Sequence, residues 1–498
     1  MIRISPSLIL LLVWAVFHGR LFLGELYWGD IGIYFYPLYK VIAEHLHSGR
    51  LPAWDPYLSQ PIIGNPQASV FYPTSLLLWL FPIERALSIS TALHLLLTGF
   101  GMLCLLQRLV GDRWAALLGA CAWMGCTALI ARAQFPPMLA SLCWMPWCAF
   151  GVLVCAGERP TKGALIFGAA FAMAILAAHP QAAYLTGIAS LLCALVWLKE
   201  KKAWSAFALG TVLAIGLSAI YWLPMALNLP EIARNDLSLA KANRFRADFL
   251  QLLNPWLPWL YGHPGAEYRG PGNYWETACF VGLAPGLLAF WAGKKRWALF
   301  LFVALCLWIS LGRAGGLFSI LYYALPGLKY FHDPARFMIL AAFFLTILSA
   351  YGWTNRPKVA PAWLLWIAFI IPQTIVIWAA MPLQPLGAWQ KALATVEPAL
   401  ENPGYSPWKE HISYRRYNNR PNAIAELIET GVPNTPAIYR RKIDEPYEPA
   451  PQKAWKDKSR PPHPGFAPSG EFRPPGLTIA AWITLFSLLV ALYAWRKA

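Results

Sequence analysis

The sequence predicts an all-α polytopic membrane protein with about 12 transmembrane helices, and three observations predict it. Of 498 residues, 58% are hydrophobic and only 13% are charged, about half the charged share of a soluble domain. The apolar residues gather in runs approaching the roughly 20 residues that a helix needs to cross hydrocarbon. Between alternate runs sit short loops carrying Lys and Arg, the signature of cytoplasmic connections. The 26 Trp and 42 Pro fit the same class, because tryptophan favours membrane interfaces and membrane helices tolerate proline.

The runs lie near 5–24, 87–107, 114–131, 138–156, 163–178, 182–198, 205–224, 278–293, 297–312, 337–353, 361–381 and 477–495. Arg3 precedes the first run as it would in a signal peptide, but no small-x-small cleavage site follows, so an uncleaved helix is expected. On one side of the membrane fall Arg3, Arg108/Arg113, Arg159/Lys162, Lys199/Lys201/Lys202, Lys294/Lys295/Arg296, Arg356/Lys358 and Arg496/Lys497. On the other fall 25–86, 132–137, the turn at His179-Pro180, 225–277, 313–336 and 382–476. Every long segment is then outside and both termini are cytoplasmic.

This reading divides the chain into a transmembrane domain, 1–381, an outer segment, 382–476, and a final helix with its tail, 477–498. Within the first, 25–86 and 225–277 are the large outer loops. Residues 25–86 are too rich in aromatics and proline for a free linker and are expected to lie on the membrane as short interfacial helices. Ser75–Phe81 is expected as a half-helix dipping toward the bilayer. Residues 443–476, with nine prolines among mixed charges, read as an extended tether.

Composition also excludes functions. The formal charge of +17 would suggest nucleic acid in a soluble protein, but here it resides in topogenic loops, so no nucleic-acid partner is expected. All nine Cys lie in or beside apolar runs with no CxxC pair, which argues against a disulfide framework or thiolate metal site. No GxxxxGK[ST], strand-associated GxGxxG or HExxH occurs, so ATP-driven transport by this chain and zincin-type proteolysis are disfavoured.

What remains is a layer of polar residues at the outer helix ends. Asp30, in Trp28-Gly29-Asp30, is either a helix N-cap or a general base toward a hydroxyl. It is also the one candidate ligand for a divalent cation such as Mg or Mn. His179 either ends a helix before Pro180 or faces a substrate. Glu276 sits at membrane depth, where a carboxylate needs a partner. Arg336 either pairs with Asp333 or offers its guanidinium fork to a phosphate. Arg132 and Gln134 belong to the same layer.

Several stretches together resemble the YfhO-like family of bacterial membrane proteins. They are Gly29-Asp30 with Tyr36-Pro37, Ser48-Gly-Arg-Leu-Pro-Ala-Trp-Asp-Pro56, and Gly64-Asn-Pro-Gln67 with Phe71-Tyr-Pro73. Further along come Trp144-Met-Pro146, His179-Pro-Gln181, Leu223-Pro224, Leu253-Asn-Pro255, Glu276 with Phe280-Val-Gly282, and Asp333-Pro-Ala-Arg336-Phe337. The resemblance covers residues 1 to about 355, and the family is similar to GT-C polytopic glycosyltransferases. It implies Asp30 as the catalytic carboxylate. It also implies a polyprenyl-phosphate sugar as donor, and a cell-surface glycan, lipid or protein as acceptor. The site would face outward from the bacterial inner membrane. His179, Glu276, Arg336, Arg132, Gln134, Tyr36 and Gln67 are the implied substrate-binding residues. The C-terminal part departs from the family: relatives carry a compact β-rich outer domain where 382–476 is short and without clear strands. A transporter or flippase of lipid-linked substrate and a non-catalytic scaffold are the rival readings.

Overall fold

A computed structural model describes residues 5–26, 30–55, 60–228, 237–264, 268–357, 361–387 and 474–497. Twenty α-helices follow one another in these segments. α1 is Pro6–His18; the first loop holds α2 (Tyr36–His47) and α3 (Leu77–Leu80). Then come α4 (Ile83–Val110), α5 (Arg113–Met124), α6 (Thr127–Ile130), α7 (Pro136–Cys143), α8 (Met145–Cys155), α9 (Pro160–Leu176) and α10 (Pro180–Trp197). α11 (Lys201–Leu217) and α12 (Ala219–Asn228) precede the second large loop, which contains α13 (Leu239–Ala242) and α14 (Tyr274–Thr277). α15 (Leu283–Leu288), α16 (Trp297–Ser310), α17 (Leu317–Ala324), α18 (Met338–Asn355), α19 (Ala362–Ala380) and α20 (Leu477–Lys497) complete the chain.

All twelve expected runs contain helix. Seven are long and apolar enough to cross a membrane, or eight if α11 and α12 form one span bent by 68°. The bend falls at Ser218, and the Ile220 N–H there is taken by Thr484 Oγ1 of α20 at 3.0 Å. The run at 278–293 departs most from expectation. Residues 278–282 are not helical and α15 is only six residues long. Gly282 has φ of +101°, and Pro285 lacks the N–H a longer helix would use.

α18 is the axis of the bundle, buried from Met338 to Trp353 and packed by α5, α15 and α16. Its approach to α15 depends on a missing side chain: a Cβ on Gly352 would stand 1.7 Å from the Leu288 carbonyl oxygen. In a bilayer, where apolar burial does not drive helices together, such close backbone approach is a main source of association. The nine cysteines are free, eight of them buried, as expected of small core fillers.

The first loop is tied down as short elements: a π-helical turn at Ile31–Phe35, α2, a two-residue antiparallel pair Trp54–Asp55/Gln60–Pro61, and α3. Ser69 Oγ donates to Ala177 O at 2.8 Å, and Tyr72 OH meets His94 Nε2 at 2.7 Å while accepting from Trp144 Nε1 at 2.8 Å. These bonds fasten the loop to the middle of α4, the junction of α7 with α8, and the end of α9. Glu25 pairs through its backbone with Gln384 and accepts Gly387 N–H on its carboxylate at 2.8 Å. The segment after α19 thus returns to the end of the first helix. The Pro-rich tether expected at 443–476 lies outside the described residues, apart from 474–476.

Candidate active site

Glu276 is the hub. It belongs to the one-turn helix α14, whose N-cap Asn273 accepts the Glu276 N–H on Oδ1 at 3.2 Å. Its carboxylate faces the start of α18, where Arg336 grips it with two parallel bonds, Nε to Oε2 and Nη2 to Oε1, both 2.8 Å. That is the bidentate geometry in which arginine and carboxylate bind most strongly. Arg132 adds Nη2 contacts to the Glu276 carbonyl at 3.2 Å and to Oε2 at 3.5 Å. Burial alone would push Glu276 up; the charge and hydrogen bonds of Arg336, with Arg132 behind, hold it well below the usual carboxylate range.

Arg336 is itself shared. Asp333 Oδ2 stands 2.9 Å from its Nη2 and also contacts His332 Nδ1. Gln181 of α10 accepts from Arg336 Nη1 and donates to the His332 carbonyl, so it joins α10 to the turn that opens α18. Asp333 has φ of +65°, a left-handed conformation that Asp tolerates better than most residues. Its backbone N–H donates to Ala242 O at 3.2 Å. The second large loop is thereby held against the site.

Asp30 enters this cluster through charge. It precedes the Ile31–Phe35 turn but makes no side-chain cap hydrogen bond, which removes the usual reason for an Asp at that position. Its pKa is raised to about 7, first by burial and then by the negative charge of Glu276, with Arg336 and Arg244 partly offsetting both. A carboxylate poised near neutrality is what a general base requires.

Among the described residues, several buried polar atoms beside the cluster lack protein partners: Arg132 Nε and Nη1, Gln134 Oε1 and the Tyr274 hydroxyl. Arg132 is 1% exposed and lies within electrostatic reach of Tyr274. Buried donors without partners cost about 1–3 kcal/mol each, so a cluster of them implies a polar ligand or ordered water.

Of the residues expected from sequence, Asp30, Arg132, Glu276 and Arg336 come together, with Gln134 two residues from Arg132 in the same turn. Arg336 takes the first alternative raised for it, pairing with Asp333, and its fork grips Glu276. His179 is the N-cap of α10, its Nδ1 accepting Ala182 N–H at 3.1 Å. Tyr36 is buried in the first turn of α2, and Gln67 donates its backbone N–H to Asn65 Oδ1 at 2.9 Å; both sit in the first loop. Sequence reasoning missed the bridging role of Gln181 and the charge of Arg244. The signal for Arg244 was the run Lys241-Ala-Asn-Arg244-Phe-Arg246, three cations in a loop that the charge pattern reads as outer, where topology needs none.

Among the described residues no group of three His, Cys, Asp or Glu could hold a metal ion. Glu276 is already occupied by two arginines.

No protein-family model and no curated protein matches the chain. Solved structures do match. The arabinofuranosyltransferase AftD from Mycobacteria aligns with a TM-score of 0.50 at 14% identity, over 84% of this chain and 30% of that one. ArnT from Cupriavidus metallidurans, in a structure bound to undecaprenyl phosphate, aligns at 0.46 and 16% identity, over 86% and 69% of the two chains. The oligosaccharyltransferase of Archaeoglobus fulgidus aligns at 0.43 and 14%, over 89% and 61%. The AftD match decides the fold.

The chain shares its fold with part of AftD. It spans 30% of AftD's length, so the likeness concerns this helical core. The narrower YfhO-like resemblance rests on the motif residues alone.

Proposed function

We propose that the chain is a membrane glycosyltransferase that moves a sugar from a polyprenyl-phosphate donor to an extracytoplasmic acceptor, a cell-surface polymer, a lipid or a protein. The observation that carries this reading is the pairing of opposites around Glu276. Among the described residues, Asp30 is a carboxylate with no ion-pair partner and a pKa near 7, and Arg132 is a buried cation with two unused donors.

Glycosyl transfer asks for those two groups. Asp30 accepts the proton of the acceptor hydroxyl as its oxygen attacks the anomeric carbon. The bond from that carbon to the phosphate oxygen breaks, and its electron pair leaves on the lipid phosphate. Arg132 Nε and Nη1 stabilise that departing charge, most effectively from a preorganised, dehydrated position. Glu276, held ionised between two arginines, fixes Arg132 and Arg336 and raises Asp30. The outward orientation follows the distribution of basic loops, and outside the inner membrane a donor has to arrive on a lipid because nucleotide sugars are absent.

The test is transfer of labelled sugar from polyprenyl-phosphate donors in membranes containing the chain. Label passing from the lipid phase to a polymer, lipid or protein acceptor supports the reading. Label that crosses the bilayer still attached to its lipid would replace it with transport.

A further inference from the structure

The far end of the bundle carries a second polar site. Arg336 and Asn355 mark the two ends of the central helical segment, about 28 Å apart at 1.5 Å per residue. Around Asn355 a cavity of about 340 Å³ opens between the end of α4, the turn before α16 and the end of α18. Lys294, Lys295 and Arg296 line it, together with Tyr351 and Thr354. Among the described residues none of the three cations meets a carboxylate. Arg296 instead lies over the Tyr351 ring, 4.0 Å from its centroid. Asp112, two residues beyond the lining residue Val110, is turned away to cap α5 through Trp114 and Ala115 N–H.

The turn that presents these cations is built. Gly293 adopts φ of +86°, Arg296 N–H closes it on the Gly293 carbonyl at 3.0 Å, and Asn355 Nδ2 bonds Ala292 O at 3.2 Å. The turn leads straight into the N-terminus of the 14-residue α16, whose dipole adds positive potential. Beside the cavity, Phe290, Trp291 and Trp297 are 62%, 45% and 66% exposed. An apolar aromatic rim next to a basic hollow fits a molecule with an anionic head and acyl chains.

We propose that this cavity binds the phosphate headgroup of an anionic phospholipid of the leaflet opposite the candidate active site. The phosphate meets Lys294, Lys295 and Arg296, and the chains lie along Phe290, Trp291 and Trp297. A free phosphate shares the head chemistry but makes no use of the aromatic rim.

Native mass spectrometry of the full chain in detergent, titrated with phosphatidylglycerol, phosphatidylcholine or inorganic phosphate, tests this. The wild type should retain phosphatidylglycerol over phosphatidylcholine. Each basic residue near an anionic group contributes roughly fivefold, so Lys294→Gln/Lys295→Gln/Arg296→Gln should weaken retention by about 100-fold. Thr354→Trp fills the cavity while leaving every topogenic charge in place, and it should weaken retention as well. Lys201→Gln/Lys202→Gln removes charge from a different basic loop and should leave it unchanged. Retention unaffected by the first two variants, or equally lost in the third, would overturn the site. Inorganic phosphate binding as tightly as the lipid would overturn the lipid assignment.

Discussion

Replacing Asp30 by Asn should stabilise the folded protein while removing its chemistry, and the stabilisation should depend on pH in a defined way. An Asp in an unfolded chain ionises around its ordinary value of 3.8, whereas burial and Glu276 raise Asp30 to about 7. Between those values the unfolded chain has released a proton that the folded protein still holds, so rising pH favours unfolding. Stability that is fully present below pH 3.8 is therefore lost progressively until pH 7 and stays lost above it. Three units at about 1.36 kcal/mol each give about 4 kcal/mol as the fully developed loss. Asp30 is partly exposed, and solvent screening brings the expected figure to about 2 kcal/mol. Asn carries no charge and escapes this loss. Thermal unfolding in detergent should show Asp30→Asn a few degrees above wild type at pH 8, with the gap closing toward pH 4. A variant less stable than wild type at every pH, or a gap independent of pH, would refute the reasoning and return Asp30 to an ordinary helix-start role.

Arg336→Met leaves Glu276 with Arg132 alone and should cost about 3–5 kcal/mol, read as a lower unfolding midpoint; Arg336→Lys should recover only part of it, because an ammonium lacks the two-pronged geometry. Gln181→Leu removes the bridge between α10 and the turn before α18 and should cost about 1–3 kcal/mol, with turnover falling more than donor binding as Arg336 loses its orientation. Gly352→Ala drives a methyl group into the Leu288 carbonyl and should lower the unfolding midpoint through a cost of at least about 1–3 kcal/mol, with no direct effect on the ion-pair cluster.

The helical bundle was legible in the sequence because runs of apolar length are imposed by the bilayer itself. Each run could be read without knowing its neighbours. The bend at Ser218 could not, since the group that satisfies Ile220 N–H is Thr484, 264 residues away. The shortness of α15 was signalled by Gly282, Pro285 and Gly286, which interrupt a run whose composition alone suggested a span. At the site, a charge at membrane depth announces that it has a partner but does not say which. Glu276 and Arg336 were each placed at the outer boundary, and their pairing came only with the fold. Arg132 read as one more boundary cation, whereas its unused donors are visible only once its surroundings are counted. Gln181 was hidden for another reason: an uncharged residue after a proline at a helix start looks like any other first-turn residue.

The proposed role of Asp30 as base in sugar transfer from a lipid-phosphate donor is tested most directly by the rate of transfer from labelled polyprenyl-phosphate sugars, measured from about pH 5.5 to 8.5 for wild type and folded Asp30→Asn. Wild-type transfer should rise with pH through about 7, as the carboxylate becomes free to take a proton, and the variant should transfer nothing measurable at any pH. Transfer by Asp30→Asn at the wild-type rate would contradict the account.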